Sequence, residues 1–428
     1  MPRDSSRRPA LDGLRALAAL AIVAHHAWQY SGRPVAGLGI WWNELALGVP
    51  LFFCLSGFLV YAPWARAAVD PAARPPRLGR YAALRAVRIL PLYWLTLVVA
   101  VLLLHGTGHW RLVEDWRLVG FVVLAQNYSG DLAGMLNPPT WSLAVEATFY
   151  AVVPLIGVLA LRAACVRPGR LALRVTQARG VRSDVPVRPA APVRPAAPVR
   201  PAAPGRPDRV GARPAGGRAG QLAVLVAVTG LGIAWTARTG HTAASPVIRT
   251  VLPDVVGLFC VGMAARVLVE GRTVPRWLAR VLLVAGVALV WAHGSGRLGV
   301  PLDGLLGDLP AGVGFAAICV ACSTADAPRV LGWRPLAYLG ACSYGIYLWH
   351  YPVLLGLQAH GLLPTDDLLA TCVLVGIPAI LAAIASYHLV EQPLLRATRR
   401  RLARARDRRP APALRPRRRT TLPVRPAA

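Results

Sequence analysis

Arg15 and His26 share one apolar stretch, Leu11 to Trp28 (LDGLRALAALAIVAHHAW). A guanidinium binds anions, and an imidazole exchanges a proton near neutral pH; both cost free energy inside hydrocarbon. On a helix that advances ~100° and ~1.5 Å per residue, the steps between them turn about 1100°, so the two side chains share a face and stand roughly 16 Å apart. His25 points about 80° away from that face. The spacing predicts an anion-holding cation near one membrane surface and a general base more than halfway across.

Other chemistry-bearing residues arrive from distant segments. In YAALRAVRILPLYW, Arg85 and Arg88 are neighbours by their i,i+3 spacing, which suits a phosphorylated ligand, although cationic anchoring of the helix end explains them too. In NPPTWSLAVEATFYAVVPL, Glu146 falls about 8–9 Å below the opposite surface, while His26 has climbed about 21 Å. Equal depth predicts a Glu146–His26 hydrogen bond in which the carboxylate fixes the ring's tautomer. In LAYLGACSYGIYLWHYPVL, Ser343, Tyr347 and His350 lie at i, i+4 and i+7, a polar stripe suited to acceptor or oxyanion contacts. Ser56 and Gly57, in GVPLFFCLSGFLV, read first as a small pair that lets helices approach and second as a substrate contact. Glu391, in SYHLVEQPLLR, is expected to pair with Arg15, Arg85 or Arg88. Each residue alone has a packing explanation; ionisable groups from three separated helices at one depth favour a site.

The elements that must carry them are membrane helices. The chain has 428 residues, 55% of them hydrophobic, and a mean hydropathy of +0.47, which defines an integral membrane protein. Apolar windows occur near 11–30, 46–64, 88–105, 141–162, 221–237, 251–269, 278–293, 304–324, 338–358 and 368–390. They predict an all-α polytopic protein of about ten transmembrane helices. Leu118 to Ala125 is too short to span and is placed at the surface or as a re-entrant segment. The first window follows Arg3, Arg7 and Arg8 as a signal peptide would, but its length and its Arg and His predict an uncleaved first span.

The net charge of +29 lies in loops and tails and comes from arginine alone, so membrane topology explains it and nucleic acid is excluded as a partner. Arginines collect on one side (Arg3, Arg7, Arg8; Arg66 to Arg85; the 163–220 loop; Arg272, Arg276; Arg329, Arg334; the C-terminal tail), which places both termini in the cytoplasm. Residues 1–165 and 218–396 form one membrane domain. Residues 166–217, with VRPAAP three times in tandem, and the basic tail 397–428 are too polar to bury a core and are expected to be disordered. Tail arginines near anionic lipids add about 1 kcal/mol each. Seven cysteines lie almost entirely within spans and imply no disulfide framework; Cys319 and Cys322 read as helix packing, with no metal site.

The segments LDGLRALAALAIVAHHA, GVPLFFCLSGFL, RAVRILPLYW, TWSLAVEATFY, SYGIYLWHYPVL and SYHLVEQPLL, in this order across residues 11–395, resemble the acyltransferase-3 family of bacterial integral-membrane O-acyltransferases. The resemblance implies a multi-pass plasma-membrane enzyme with no permanently bound cofactor. It takes an acyl group, usually acetyl, from acyl-CoA on the cytoplasmic side and gives it to a hydroxyl of a cell-surface glycan or secondary metabolite. Arg15 and His26 match the family's first-helix signature, and Arg85 and Arg88 its donor-binding arginines. Pro50 stands where the family commonly has Asp, Ala147 and Thr148 replace Glu-Gln, and the Arg/Pro insert lies outside the common core. A stand-alone form is expected. In this reading Arg15, Arg85 and Arg88 hold the donor phosphates, His26 oriented by Glu146 takes the acceptor's proton, and Ser343, Tyr347 or His350 serves the oxyanion or acceptor. The alternatives are a transporter or flippase using an intramembrane His/Glu/Arg relay, and a non-catalytic scaffold.

Overall fold

A computed structural model describes residues 8–32, 39–104, 117–129, 132, 134–165, 217–239, 251–297, 307–364 and 366–407. Most of the Arg/Pro insert and the distal tail lie outside them. Every regular element among the described residues is helical. The long elements are α1 (Pro9–Tyr30), α3 (Gly48–Val60), α5 (Leu78–Leu104), α7 (Trp141–Cys165), α8 (Gly217–Thr239), α9 (Leu252–Val269), α10 (Arg276–Gly294), α11 (Leu309–Cys322), α13 (Ser343–Ala359), α14 (Leu368–Ser386) and α15 (Gln392–Asp407). Short helices α2 (Gly39–Glu44), α4 (Ala62–Val69), α6 (Arg117–Val122) and α12 (Arg334–Ala341) connect them.

Among the described residues, eight helical stretches are long and apolar enough to cross a membrane. The expected count of ten is not reached on that measure, because the windows at 304–324 and 338–358 fold as shorter pieces. The first gives the 14-residue α11; the second is broken at Cys342 into α12 and α13. The third span starts at Leu78 rather than 88, which draws Arg80 and Arg85 into regular helix. The tail expected to be disordered from 397 stays helical to Asp407 in α15, because the arginine-rich segment keeps good helix formers and contains no Gly. Leu118 to Ala125 forms only the short α6 and a turn, as its length predicts. Outward faces carry Leu102, Val226 and Leu369, each more than 65% exposed, a surface suited to lipid and not to water.

α1 is enclosed by α3, α12, α13 and α14, whereas α10 packs chiefly on α11 and shows most of its surface. Small residues let the helices close on one another. A β-carbon at Gly57 of α3 would lie 2.1 Å from the Phe259 carbonyl oxygen of α9, and one at Gly262 would lie 2.0 Å from that of Cys54. The close-approach reading of Gly57 therefore holds, and backbone meets backbone at this crossing. Gly57→Val is expected to destabilise the protein by at least about 1–3 kcal/mol, seen as a lower midpoint in detergent thermal unfolding.

Candidate active site

A cavity between α1, α3, α5, α7 and α13 is lined by Arg15, Arg85, Arg88, Ser56, Glu146 and Tyr150, with Ser142, Ser343, Tyr344 and Tyr347. Its enclosed part is about 100 Å³, below the ~300–1,000 Å³ of sites that swallow a whole small ligand. A space of that size has room for only part of an extended ligand.

The three arginines meet here as the spacing requires, each held differently. Arg88 forms an ion pair with Glu391 at 2.6 Å and lies over the Tyr344 ring at 5.7 Å. Glu391 is 1% exposed and belongs to a π turn, Tyr387–Glu391, between α14 and α15; its second oxygen, Oε1, has no hydrogen-bond partner. The expected pairing of Glu391 with one of the arginines is thus formed. Arg85 lies over the rings of Tyr150 (5.1 Å) and Tyr81 (5.7 Å), a cation–π arrangement that holds the charge while leaving its donors available. Arg15 forms no ion pair among the described residues.

Glu146 does not bond to His26, contrary to the expectation from depth. Its Oε1 accepts hydrogen bonds from Ser56 Oγ at 2.6 Å and Tyr150 Oη at 2.5 Å. The reason is that α7 begins beside the middle of α13 and not at its end. Tyr347 donates to the Pro139 carbonyl at 2.6 Å, Ser142 Oγ lies 2.8 Å from Tyr347 Oη, and Asn137 donates to the Leu348 carbonyl at 3.3 Å, so the start of α7 is already sunk to the middle of α13. One further turn carries Glu146 about 6 Å on, toward the arginine end and away from His26.

His26 finds another partner. His350 Nε2 lies 3.0 Å from His26 Nδ1, and His350 Nδ1 lies 2.6 Å from the Tyr347 carbonyl. A carbonyl only accepts, so His350 Nδ1 carries the hydrogen. With both rings neutral, His350 Nε2 then accepts from His26 Nδ1–H, which leaves His26 Nε2 as an unprotonated nitrogen. The tautomer control assigned to Glu146 from sequence is exerted instead by His350, fully buried and fixed by its own helix. His25 spends Nδ1 on the Trp42 carbonyl at 3.1 Å, a packing role.

Of the polar stripe, Ser343 and Tyr347 line the cavity and His350 lies one turn beyond. Tyr347 already gives its proton to Pro139, whereas Ser343 Oγ is buried with no hydrogen-bond partner. Sequence reasoning ranks Ser56 first as packing and does not single out Tyr150 or Tyr344. Tyr150 is findable, standing four residues after Glu146 on the same helix face. Cys54, Cys260, Cys319, Cys322, Cys342 and Cys372 are free, and no cluster of metal-ligating side chains occurs among the described residues.

A bundle of apolar helices that gathers guanidiniums at one end of an internal cavity and an imidazole pair beyond its other end fits a multi-pass membrane acyltransferase. The chain belongs to the acyltransferase-3 family: residues 8–388 match its acyltransferase domain. It is similar to the peptidoglycan O-acetyltransferase OatA of Listeria monocytogenes, 24% identical over 366 residues, covering 81% of this chain and 49% of that protein. It also resembles the acyltransferase MdmB of Streptomyces mycarofaciens, 30% identical over 165 residues, 36% of this chain and 40% of that one. A further relative is protein 2 in the picA locus of Rhizobium radiobacter, 32% identical over 160 residues, 33% of this chain and 78% of that one. The chain thus spans less than half the length of OatA and MdmB. No solved structure gives a significant match.

Glu391→Ala removes the partner of a largely buried Arg88 and is expected to cost on the order of 3 kcal/mol. Thermal unfolding checks this, and adding Arg88→Met to the same chain should return part of the loss.

Proposed function

We propose that the protein is an acyl-CoA-dependent O-acyltransferase of the bacterial plasma membrane, with both termini in the cytoplasm, that moves an acyl group, in the first instance acetyl, to a hydroxyl of a cell-surface glycan or another hydroxylated acceptor. The observation that carries the reading is the division of α1 between two environments: Arg15 in a cavity with Arg85 and Arg88, and His26, roughly 16 Å along the same helix, bonded to His350. A phosphorylated donor with a long, thin arm matches that division.

In this scheme the arginines grip the donor phosphates at the cytoplasmic end, and the arm runs along α1 toward His26. Glu146, tied to Ser56 and Tyr150, offsets the arginine charge within the cavity. His26 Nε2 takes the proton of the acceptor hydroxyl as its oxygen attacks the acyl carbonyl. Carbon–sulfur cleavage releases the CoA thiolate, which takes that proton from His26 and leaves as the thiol. The unpartnered Ser343 hydroxyl, two turns from His350, is a hydrogen-bond donor for a carbonyl of the passing arm; Tyr347 orders the wall between the two regions, and His350 holds the base in its working tautomer.

The O-acetyltransferase named among the relatives supports a hydroxyl acceptor and an acetyl group. His26→Ala is expected to lower acyl transfer by about 10²–10⁴-fold while the protein still inserts and binds donor. His350→Phe should lower kcat by roughly 10–100-fold with little change in KM for acetyl-CoA. Arg15→Gln should act on KM. Acceptor-dependent release of CoA thiol measures all three; near-normal turnover in the His26 variant rejects the scheme.

A further inference from the structure

A second cavity, of about 300 Å³, opens where the start of α1 meets the α9–α10 loop and the end of α11. Arg8, Arg266, Arg272 and Thr273 line it with Glu270 and Asp326, and none of these residues belongs to the cavity that holds Arg15. Arg66 and Arg218 reach Glu270 from outside, and Arg276 reaches Asp326.

Charge at this place is far from balanced. Glu270 is paired with Arg266 and, at 3.8 Å, with Arg66, while Asp326 is paired with Arg276 at 2.9 Å. Both carboxylates are therefore taken. Arg218 is met by a main-chain oxygen of Glu270, and Arg8 by the Ser323 carbonyl. Arg272 forms no ion pair among the described residues, and the buried Nε of Arg266 has no hydrogen-bond partner. Burial, and then the like charge of Arg266, hold the Arg8 guanidinium below its ordinary value against the pull of Glu270.

Two tryptophans stand next to residues that adjoin this cavity: Trp277 follows Arg276, the partner of Asp326, and Trp333 follows Gly332, which meets Pro9. Trp277, in the first turn of α10, and Trp333, just before α12, are 66% and 62% exposed. Exposed indoles at the ends of apolar helices mark the headgroup layer of a bilayer. A polar cavity with surplus guanidiniums at that layer faces phosphodiesters in the plane of the membrane.

We infer that the cavity formed by Arg8, Arg266 and Arg272 is a binding site for a phosphate group, supplied by the headgroup of an anionic phospholipid. The phosphate oxygens would give Arg266 Nε the acceptor it lacks and the exposed Arg272 a counter-charge. The acyl tails would leave along the apolar flank beside Trp277 and Trp333. A soluble phosphate ester offers the same headgroup chemistry without tails, so the two sources separate experimentally.

The test is thermal unfolding of the purified full chain in detergent, followed by tryptophan fluorescence, after addition of phosphatidylglycerol, phosphatidylcholine or inorganic phosphate. The expected result is a saturable rise in midpoint with phosphatidylglycerol alone. Its half-saturation concentration should increase about tenfold or more in Arg272→Gln and in Arg8→Gln. A chain carrying R417Q, R418Q and R419Q controls for adhesion of the basic tail and should keep the full response. A response to inorganic phosphate with the same arginine dependence would overturn the lipid assignment in favour of a soluble phosphate. Equal responses to the two lipids, or unchanged half-saturation in both cavity variants, would overturn the site itself.

Discussion

Charge inside a low-dielectric bundle must be answered locally, and this requirement shapes the arginine end of the molecule. Removing an ionised group from water costs several kcal/mol unless opposite charge or oriented dipoles meet it. Arg88 is met by Glu391, Arg85 by two tyrosine faces, and Glu146 by two hydroxyl donors. These contacts, with Tyr344 of α13 beside Arg88, tie α3, α5, α7, α13 and the α14–α15 junction, helices distant in sequence, to one point. The fold and the site are therefore one solution to one electrostatic problem.

The histidine region is built by a different device. The described residues between 126 and 141 are anchored inside the bundle by amide donors: Gln126 bonds to Thr140, Asn127 to the Trp141 carbonyl, and Asn137 to Leu348, while Gln126 Oε1 and Asn137 Oδ1 stay without a hydrogen-bond partner. Irregular backbone at this depth is tolerated because protein, not lipid, surrounds it. The same inserted segment gives Tyr347 its acceptor and so fixes the wall next to His350. Leu124, just before this segment, and Leu136, within it, adopt positive φ of 59° and 55°, a conformation that costs a leucine roughly 1–2 kcal/mol.

Much of this is legible in the residues. Helical periodicity and the intolerance of hydrocarbon for charge are local properties, so α1, the pairing of Glu391 with an arginine, and the gathering of Arg15, Arg85 and Arg88 can be read directly. Residue counting from a presumed surface assigns Glu146 to the depth of His26, and that fails because α7 starts inside the bundle. Rise per residue gives spacing along one helix but not where the helix begins. The sequence does bring His350 level with His26; what residue counting does not supply is the side-chain hydrogen bond that joins the two rings. Ser56 and Gly57, taken together as packing, divide their tasks: the glycine meets α9 and the serine meets Glu146.

The π turn at Tyr387–Glu391 carries one residue more than an α-helical path would need. Each residue added to or removed from a helix rotates the downstream turns by about 100°. A change of chain length between Ser386 and Gln392 would thus rewind the segment and aim Glu391 away from α5 with every side chain chemically intact. The grip on Arg88 is encoded in a residue count as much as in a carboxylate, a kind of information that comparing amino-acid types position by position does not register.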